Sequence, residues 1–154
     1  FTNNEMENLI NMASSFETLK ELSARLLARS LILNNEQQLS IRRENQNDFE
    51  KSILDLPAFS SFVPEDSLVN EIVLLRDQDM NNPVYQLINS KNPFFGLEQL
   101  EQLLVRREGK SDMIRMEYVG IDPFMSQLTL DLLIDIFIKK QNTPAPCTEA
   151  FFFG

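Results

Sequence analysis

The segment that follows Asp122-Pro123 constrains the fold more than any other part of the sequence. Its apolar residues recur every three or four positions, which is the period of one face of a helix. The residues of this face are Phe124, Leu128, Leu132, Ile136 and Phe137, and Leu130, Leu133, Ile134 and Ile138 widen it. A helix with so broad an apolar face lies in the centre of a bundle or beneath a partner. Asp131 and Asp135 interrupt the run, which is far shorter than the roughly 20 residues of a membrane span, so we expect no membrane partner.

Shorter stripes of the same period predict helices elsewhere in the chain. Ser14 with Glu17 fits a capping box, so two helices are expected to meet near Ser14-Ser15. Asn82-Pro83 is typical of a helix start, which is also our interpretation of the NPxY pattern at this position. Leu97, Leu100, Leu103 and Leu104 predict a helix that ends at Arg106-Arg107 and Gly109. The polar stretch 34–47 is a possible subdivision.

Residues 113–119 have an ambiguous pattern. Ile114, Met116 and Tyr118 alternate with charged residues, as in a half-buried strand. A single strand has no partner for its backbone, so we predict a helix here too. The chain of 154 residues fits one domain, or a fragment of a larger helical array. We therefore predict an all-α fold, an irregular multi-helix bundle or a short helical-repeat-like array of six to eight helices, with residues 1–141 as a single α-helical domain.

The composition narrows the function mainly by exclusion. The chain has no His, one Cys and no Gly before Gly96. It therefore lacks the commonest general base and transition-metal ligand, as well as the usual glycine-rich phosphate loops. We expect no enzyme activity, no cofactor, no metal and no small-molecule substrate. A formal net charge of −9 disfavours nucleic acid as a direct partner. The lone Cys147 indicates a reducing compartment, so we expect an intracellular protein, cytoplasmic or nuclear.

Two alternative functions remain open. The pairs Glu98/Glu101 and Asp131/Asp135 could serve a carboxylate-based metal-binding protein or enzyme, although solvated helix faces are the simpler interpretation of such spacing. The dibasic pairs Arg42-Arg43, Arg106-Arg107 and Lys139-Lys140 could serve an accessory factor that associates with nucleic acid. Charge that complements helix ends is the simpler interpretation of these pairs.

Residues 142–154 form an extended tail that ends in Phe151, Phe152 and Phe153. Burial of one Phe side chain contributes roughly 1.5–3 kcal/mol, so the tail is expected either to fold back on its own domain or to insert into another chain. The LxxLL pattern of Leu100, Leu103 and Leu104 is either core or a helix face that docks into a groove. We predict a non-catalytic interaction module, a scaffold or adaptor subunit that binds another protein chain as a homo- or hetero-oligomer. Its predicted contacts are these six Leu and Phe residues.

Overall fold

Seven helices and a small sheet make up the part of the chain that the structure describes. This structure is a computed structural model that covers residues 2–59, 63–140 and 147–153, the last range by its backbone alone. The helices are α1 (Asn3–Ala13), α2 (Phe16–Asn35), α3 (Arg43–Ile53), α4 (Glu65–Gln78), α5 (Pro83–Ile88), α6 (Leu97–Leu100) and α7 (Pro123–Lys140). The strands are β1 (Leu104–Arg107), β2 (Met113–Val119) and β3 (Cys147–Phe153). The prediction of a mainly helical chain is confirmed, and the prediction of an all-α fold is wrong.

The sheet has the strand order β1-β2-β3, with β2 in the centre. β1 and β2 are antiparallel neighbours, and the chain reverses between them at Gly109, whose φ of 59° favours glycine. β2 and β3 are parallel, and parallel neighbours need a long crossover connection. The segment that contains α7 is this connection, so β2, α7 and β3 form a β-α-β unit.

The predicted helix that ends at Arg106-Arg107 is the first local error. α6 ends at Leu100, and the chain is already extended at Leu104, where β1 begins. Residues 113–119 are a strand as well, although we predicted a helix. This strand has two partners, β1 and β3, and both lie in segments for which we predicted no strand, one a helix and the other the tail. Pairing between strands overrides the local helical spacing here.

Helix starts are predicted more accurately than strands because each depends on a few adjacent residues. Ser15, one residue after the expected Ser14, caps α2 by accepting a hydrogen bond from the Thr18 backbone N–H at 3.2 Å. The Asn82 side chain accepts from the Tyr85 backbone N–H at 2.8 Å at the start of α5. The interpretation of the NPxY pattern as a helix cap is therefore confirmed.

The core lies where α7 packs against α2 and against β2. The innermost side chains of α7 include Leu130, Leu133 and Phe137, all at most 1% exposed. The central position predicted for this most apolar helix is therefore correct. Leu22 of α2 and Met116 of β2 are completely buried in the same core.

Asp122, immediately before α7, ties α3 to the start of α7. Its buried carboxylate accepts hydrogen bonds from the backbone N–H of Met125 at 3.1 Å and from that of Arg42 at 2.9 Å. The Asn45 side-chain amide donates to the same carboxylate at 3.0 Å. Phe49 of α3 adds an apolar anchor, because its ring meets that of Phe94 edge-on at 5.8 Å between centroids.

Candidate interaction surface

The two faces of the sheet differ in exposure. Ile114, Met116 and Tyr118 of β2 are buried on the face toward the core. Arg115 and Glu117 alternate with them and are half-buried on the opposite face. Burial raises the pKa of the Tyr118 hydroxyl, and a hydrogen bond with Gln99 offsets the increase only in part. The alternation of apolar and charged residues in this segment therefore reflects a strand with one face on the core and the other face outward.

The outward face of β1 and β2 is called the open sheet face. Its described residues are Leu104, Arg106, Met113, Arg115, Glu117 and Val119. Arg106 and Arg115 are opposite each other in the register, and like charges in this position destabilise a sheet. Glu117 compensates, because one of its oxygens lies 2.8 Å from Arg106 Nη2 and 3.6 Å from Arg115 Nη1. Arg115 Nε also lies 2.9 Å from Glu108 Oε2, so two carboxylates face the two guanidinium groups.

The other end of the open sheet face is apolar. Leu104 and Val119 are each 56% exposed. Leu104 is opposite Glu117 in the register, and Val119 follows two residues later on the same strand, so both lie on the same face. Gln99 holds the end of β2 by donating a hydrogen bond to the Val119 carbonyl at 3.1 Å.

Sequence reasoning missed most of this face. Arg115, Glu117 and Val119 belong to the segment that we predicted as a helix, and a helix would scatter them. The signal that could have located them was the alternation of Ile114 with Met116, since residues between buried strand positions face outward.

The three Leu residues predicted to bind a partner do not lie together. Leu100 is completely buried and Leu103 is 7% exposed, so both side chains belong to the core of this chain. Only Leu104 is exposed, and it is in β1 rather than in a helix. The LxxLL pattern therefore does not form the continuous helix face that docking into a groove requires.

The predicted aromatic contacts lie in β3, whose backbone pairs with the same chain. Phe151 is the register partner of Glu117, Phe152 that of Tyr118 and Phe153 that of Val119. The backbone of the tail from Cys147 to Phe153 thus folds back on its own domain, which was one of the two predicted arrangements. The side chains of these three Phe residues are outside the described part of the structure.

The dibasic pairs are in three different local environments. Arg106-Arg107 lies in β1, not at the end of a helix, and Arg107 donates hydrogen bonds to the Lys110 and Ser111 carbonyls at 2.9 and 2.6 Å. Lys140 lies 3.1 Å from Glu21, an ion pair between α7 and α2. Arg42-Arg43 is exposed at the start of α3. The pairs at Arg106-Arg107 and Lys139-Lys140 therefore include side chains already engaged within the chain.

The carboxylate pairs lie at the surface. Glu98, Glu101, Asp131 and Asp135 are all exposed, and Asp131 accepts a hydrogen bond from Gln127 at 2.8 Å. Among the described residues, no group of three or more metal-ligating side chains converges. The same part of the chain contains no helix that is both long and apolar enough to cross a membrane.

The larger of the cavities described here has a volume of about 260 Å³ and lies between the end of α2 and residues 53–59. Apolar side chains, among them Leu31, Ile53 and Phe59, line most of it, and Asn34, Asn35 and Glu36 are also in its lining. Glu36 is the only ionisable residue in the described lining of this cavity.

We compared the chain with protein-family models, with curated proteins and with solved structures, and none of them matches.

Proposed function

We propose that this chain is a non-catalytic protein–protein interaction module, a scaffold or adaptor subunit of a larger assembly, and that its partner binds the apolar end of the open sheet face. The exposure of Leu104 and Val119, 56% each and on the same face, carries the proposal. A partner that covers both side chains would remove apolar area from water, which favours binding.

The register of β3 supports the same location. Phe151 and Phe153 are the partners of Glu117 and Val119, so the tail adds two aromatic residues to the rows of the sheet that contain Leu104 and Val119. Aromatic residues are enriched in interface cores. The paired charges of Arg106 and Glu117 would then border the apolar end, as polar residues surround the core of an interface. Leu100 and Leu103 are left out of the proposed surface because they are buried.

The test replaces the two exposed apolar side chains with more polar ones that are compatible with a strand. Leu104→Thr and Val119→Thr combined remove apolar area and place β-branched residues at both positions, which strands accommodate well. The matched control is Leu74→Gln on α4, where another leucine is 71% exposed outside the sheet. Self-association is measured by sedimentation velocity over a range of concentrations, and binding to other chains by cross-linked capture from the source cells.

We expect the double variant to lose a homo-oligomer or a specific captured chain that the wild type and Leu74→Gln both retain. Circular dichroism spectra should match for all three proteins, which separates lost binding from lost folding. The proposal is wrong if the wild type is monomeric at every concentration and the double variant captures the same proteins as the control.

A further inference from the structure

A second, small cavity lies where the turn between β2 and α7 meets the turn at residues 93–96. Its volume is about 10 Å³. Tyr118, Asp122, Ser126 and Thr129 contribute polar side chains to its lining, and these residues are at most 3% exposed. The cavity therefore has a mixed lining, with these polar residues beside apolar ones such as Phe94 and Met125.

Ser126 is the residue in this cavity whose hydrogen bonding is incomplete. It lies in the first turns of α7 and is 1% exposed, and its hydroxyl has no hydrogen-bond partner among the described residues. The neighbouring Thr129 hydroxyl differs, because it donates to the Met125 carbonyl at 2.7 Å. A buried hydroxyl without a partner is unfavourable, and buried polar groups in folded proteins are normally paired with protein or with ordered water.

Gly120 keeps this site open. A Cβ atom at position 120 would lie 2.3 Å from the Ser126 hydroxyl oxygen and 3.2 Å from the Tyr118 ring. Any larger residue would therefore collide with the hydroxyl that lines the cavity.

Asp122 provides a second polar partner. Its carboxylate accepts from Met125, Arg42 and Asn45, which are three donors. An ionised carboxylate has about four acceptor positions, so one remains after these three bonds, and Asp122 lines the same cavity as Ser126.

We propose that this cavity is a specific binding site for one water molecule, held by the Ser126 hydroxyl and the remaining acceptor position of Asp122. The volume fits this ligand, because about 10 Å³ is near the minimum that one water molecule needs. A buried water also needs about two to four polar partners, and Ser126 and Asp122 provide two. The water completes the hydrogen bonding of Ser126 and joins the first turn of α7 to its preceding Asp.

The test compares Ser126→Ala with the matched control Ser30→Ala. Ser30 is also a buried helical serine, but its hydroxyl donates to the Leu26 carbonyl at 2.6 Å. Alanine is favourable in helices, so both variants should fold. Oxygen-17 magnetic relaxation dispersion counts the long-lived internal waters of each protein, and a high-resolution crystal structure of the wild type locates them.

We expect Ser126→Ala to lose one long-lived water relative to the wild type and Ser30→Ala to lose none. The crystal structure should place a water oxygen about 3 Å from the Ser126 hydroxyl. Equal water counts in the wild type and Ser126→Ala would overturn the proposal. A crystal structure in which the Ser126 hydroxyl donates to a protein carbonyl would overturn it as well.

Discussion

At the scale of single residues, Gly96 has no room for a side chain. A Cβ atom there would lie 2.3 Å from the Ser90 carbonyl oxygen and 2.8 Å from that of Asn92. Both contacts involve backbone atoms in the turn that places Phe95 in the core. Neither oxygen can move away without a change in the backbone of this turn. We expect Gly96→Ala to lower the free energy of unfolding by about 3 kcal/mol, measured by urea denaturation.

Gly109 provides the matched control. Its φ of 59° disfavours other residues, but a Cβ atom there meets no atom within 4 Å. Gly109→Ala should therefore lower the free energy of unfolding by only about 1 kcal/mol, the cost of a positive φ for a residue with a Cβ atom. Equal losses for the two variants would mean that the contacts around Gly96 relax without cost.

Asp122 is the second residue whose removal should matter far beyond its own position. Its carboxylate accepts from the Met125 and Arg42 backbones and from the Asn45 side chain. Because hydrogen bonds to charged groups contribute more than neutral ones, we expect Asp122→Ala to cost about 2–4 kcal/mol in total. Hydrogen exchange should accelerate at the start of α3, where the Arg42 amide loses its acceptor.

Asp131→Ala is the comparison, since this exposed aspartate accepts only from Gln127 among the bonds described. Its loss should change stability by less than about 0.5 kcal/mol. If α3 exchanges equally fast in both variants, Asp122 does not hold that helix in place.

At the scale of elements, the helices could be predicted and the sheet could not. The start of α5 depends on four consecutive residues: Asn82 is the cap, Pro83 is the first helical residue, and the Tyr85 backbone N–H donates to the Asn82 side chain. β3 instead pairs with a strand on the far side of α7, and nothing near Cys147 specifies that partner. The same limit applies to the candidate surface: Leu104 was predicted, whereas Val119 was not, because their proximity depends on the pairing of β1 with β2.

Glu21 joins two elements that are distant in sequence, α2 and the end of α7. Its carboxylate lies 3.1 Å from Lys140 Nζ and 3.2 Å from Arg25 Nε. Burial raises the pKa of the Glu21 carboxyl, but hydrogen bonds and charges from Lys140 and Arg25 outweigh burial, so the net pKa is below its ordinary value of 4.5. The folded state thus binds this proton more weakly than the unfolded state.

The contribution of Glu21 to stability is therefore complete above pH 4.5 and is lost as the pH falls through the folded-state pKa. We expect Glu21→Gln to lower the free energy of unfolding at neutral pH by up to about 1 kcal/mol, since the pair is partly exposed. The difference from the wild type should shrink below pH 4.5. Urea unfolding as a function of pH measures it, with exposed Glu71→Gln on α4 as control. A difference that stays constant into acid would contradict this assignment.

At the scale of the whole molecule, one core serves both the helices and the sheet. α7 contacts α2 on one side and the β2–β3 part of the sheet on another. The Ser30 hydroxyl lies 3.9 Å from the Met125 sulfur across the first of these contacts. Because α7 connects two parallel strands and also packs on α2, loss of the helix packing should also disrupt the pairing of these strands. This arrangement argues for cooperative unfolding, in contrast to the subdivision near residues 34–47 that the polar composition suggested.

Phe137 on α7 tests that cooperativity, because it is 1% exposed in the shared core. We expect Phe137→Ala to cost about 3–5 kcal/mol through lost burial and the resulting cavity. Because the core is shared, the amides of α2 and of β2 should lose protection at the same denaturant concentration in native-state hydrogen exchange. The neighbouring Ile138→Ala is the control: its side chain is 49% exposed, so the cost should be below about 1 kcal/mol. If Phe137→Ala releases β2 while α2 retains its protection, the chain consists of two separately stable parts, and the division near residues 34–47 is correct after all.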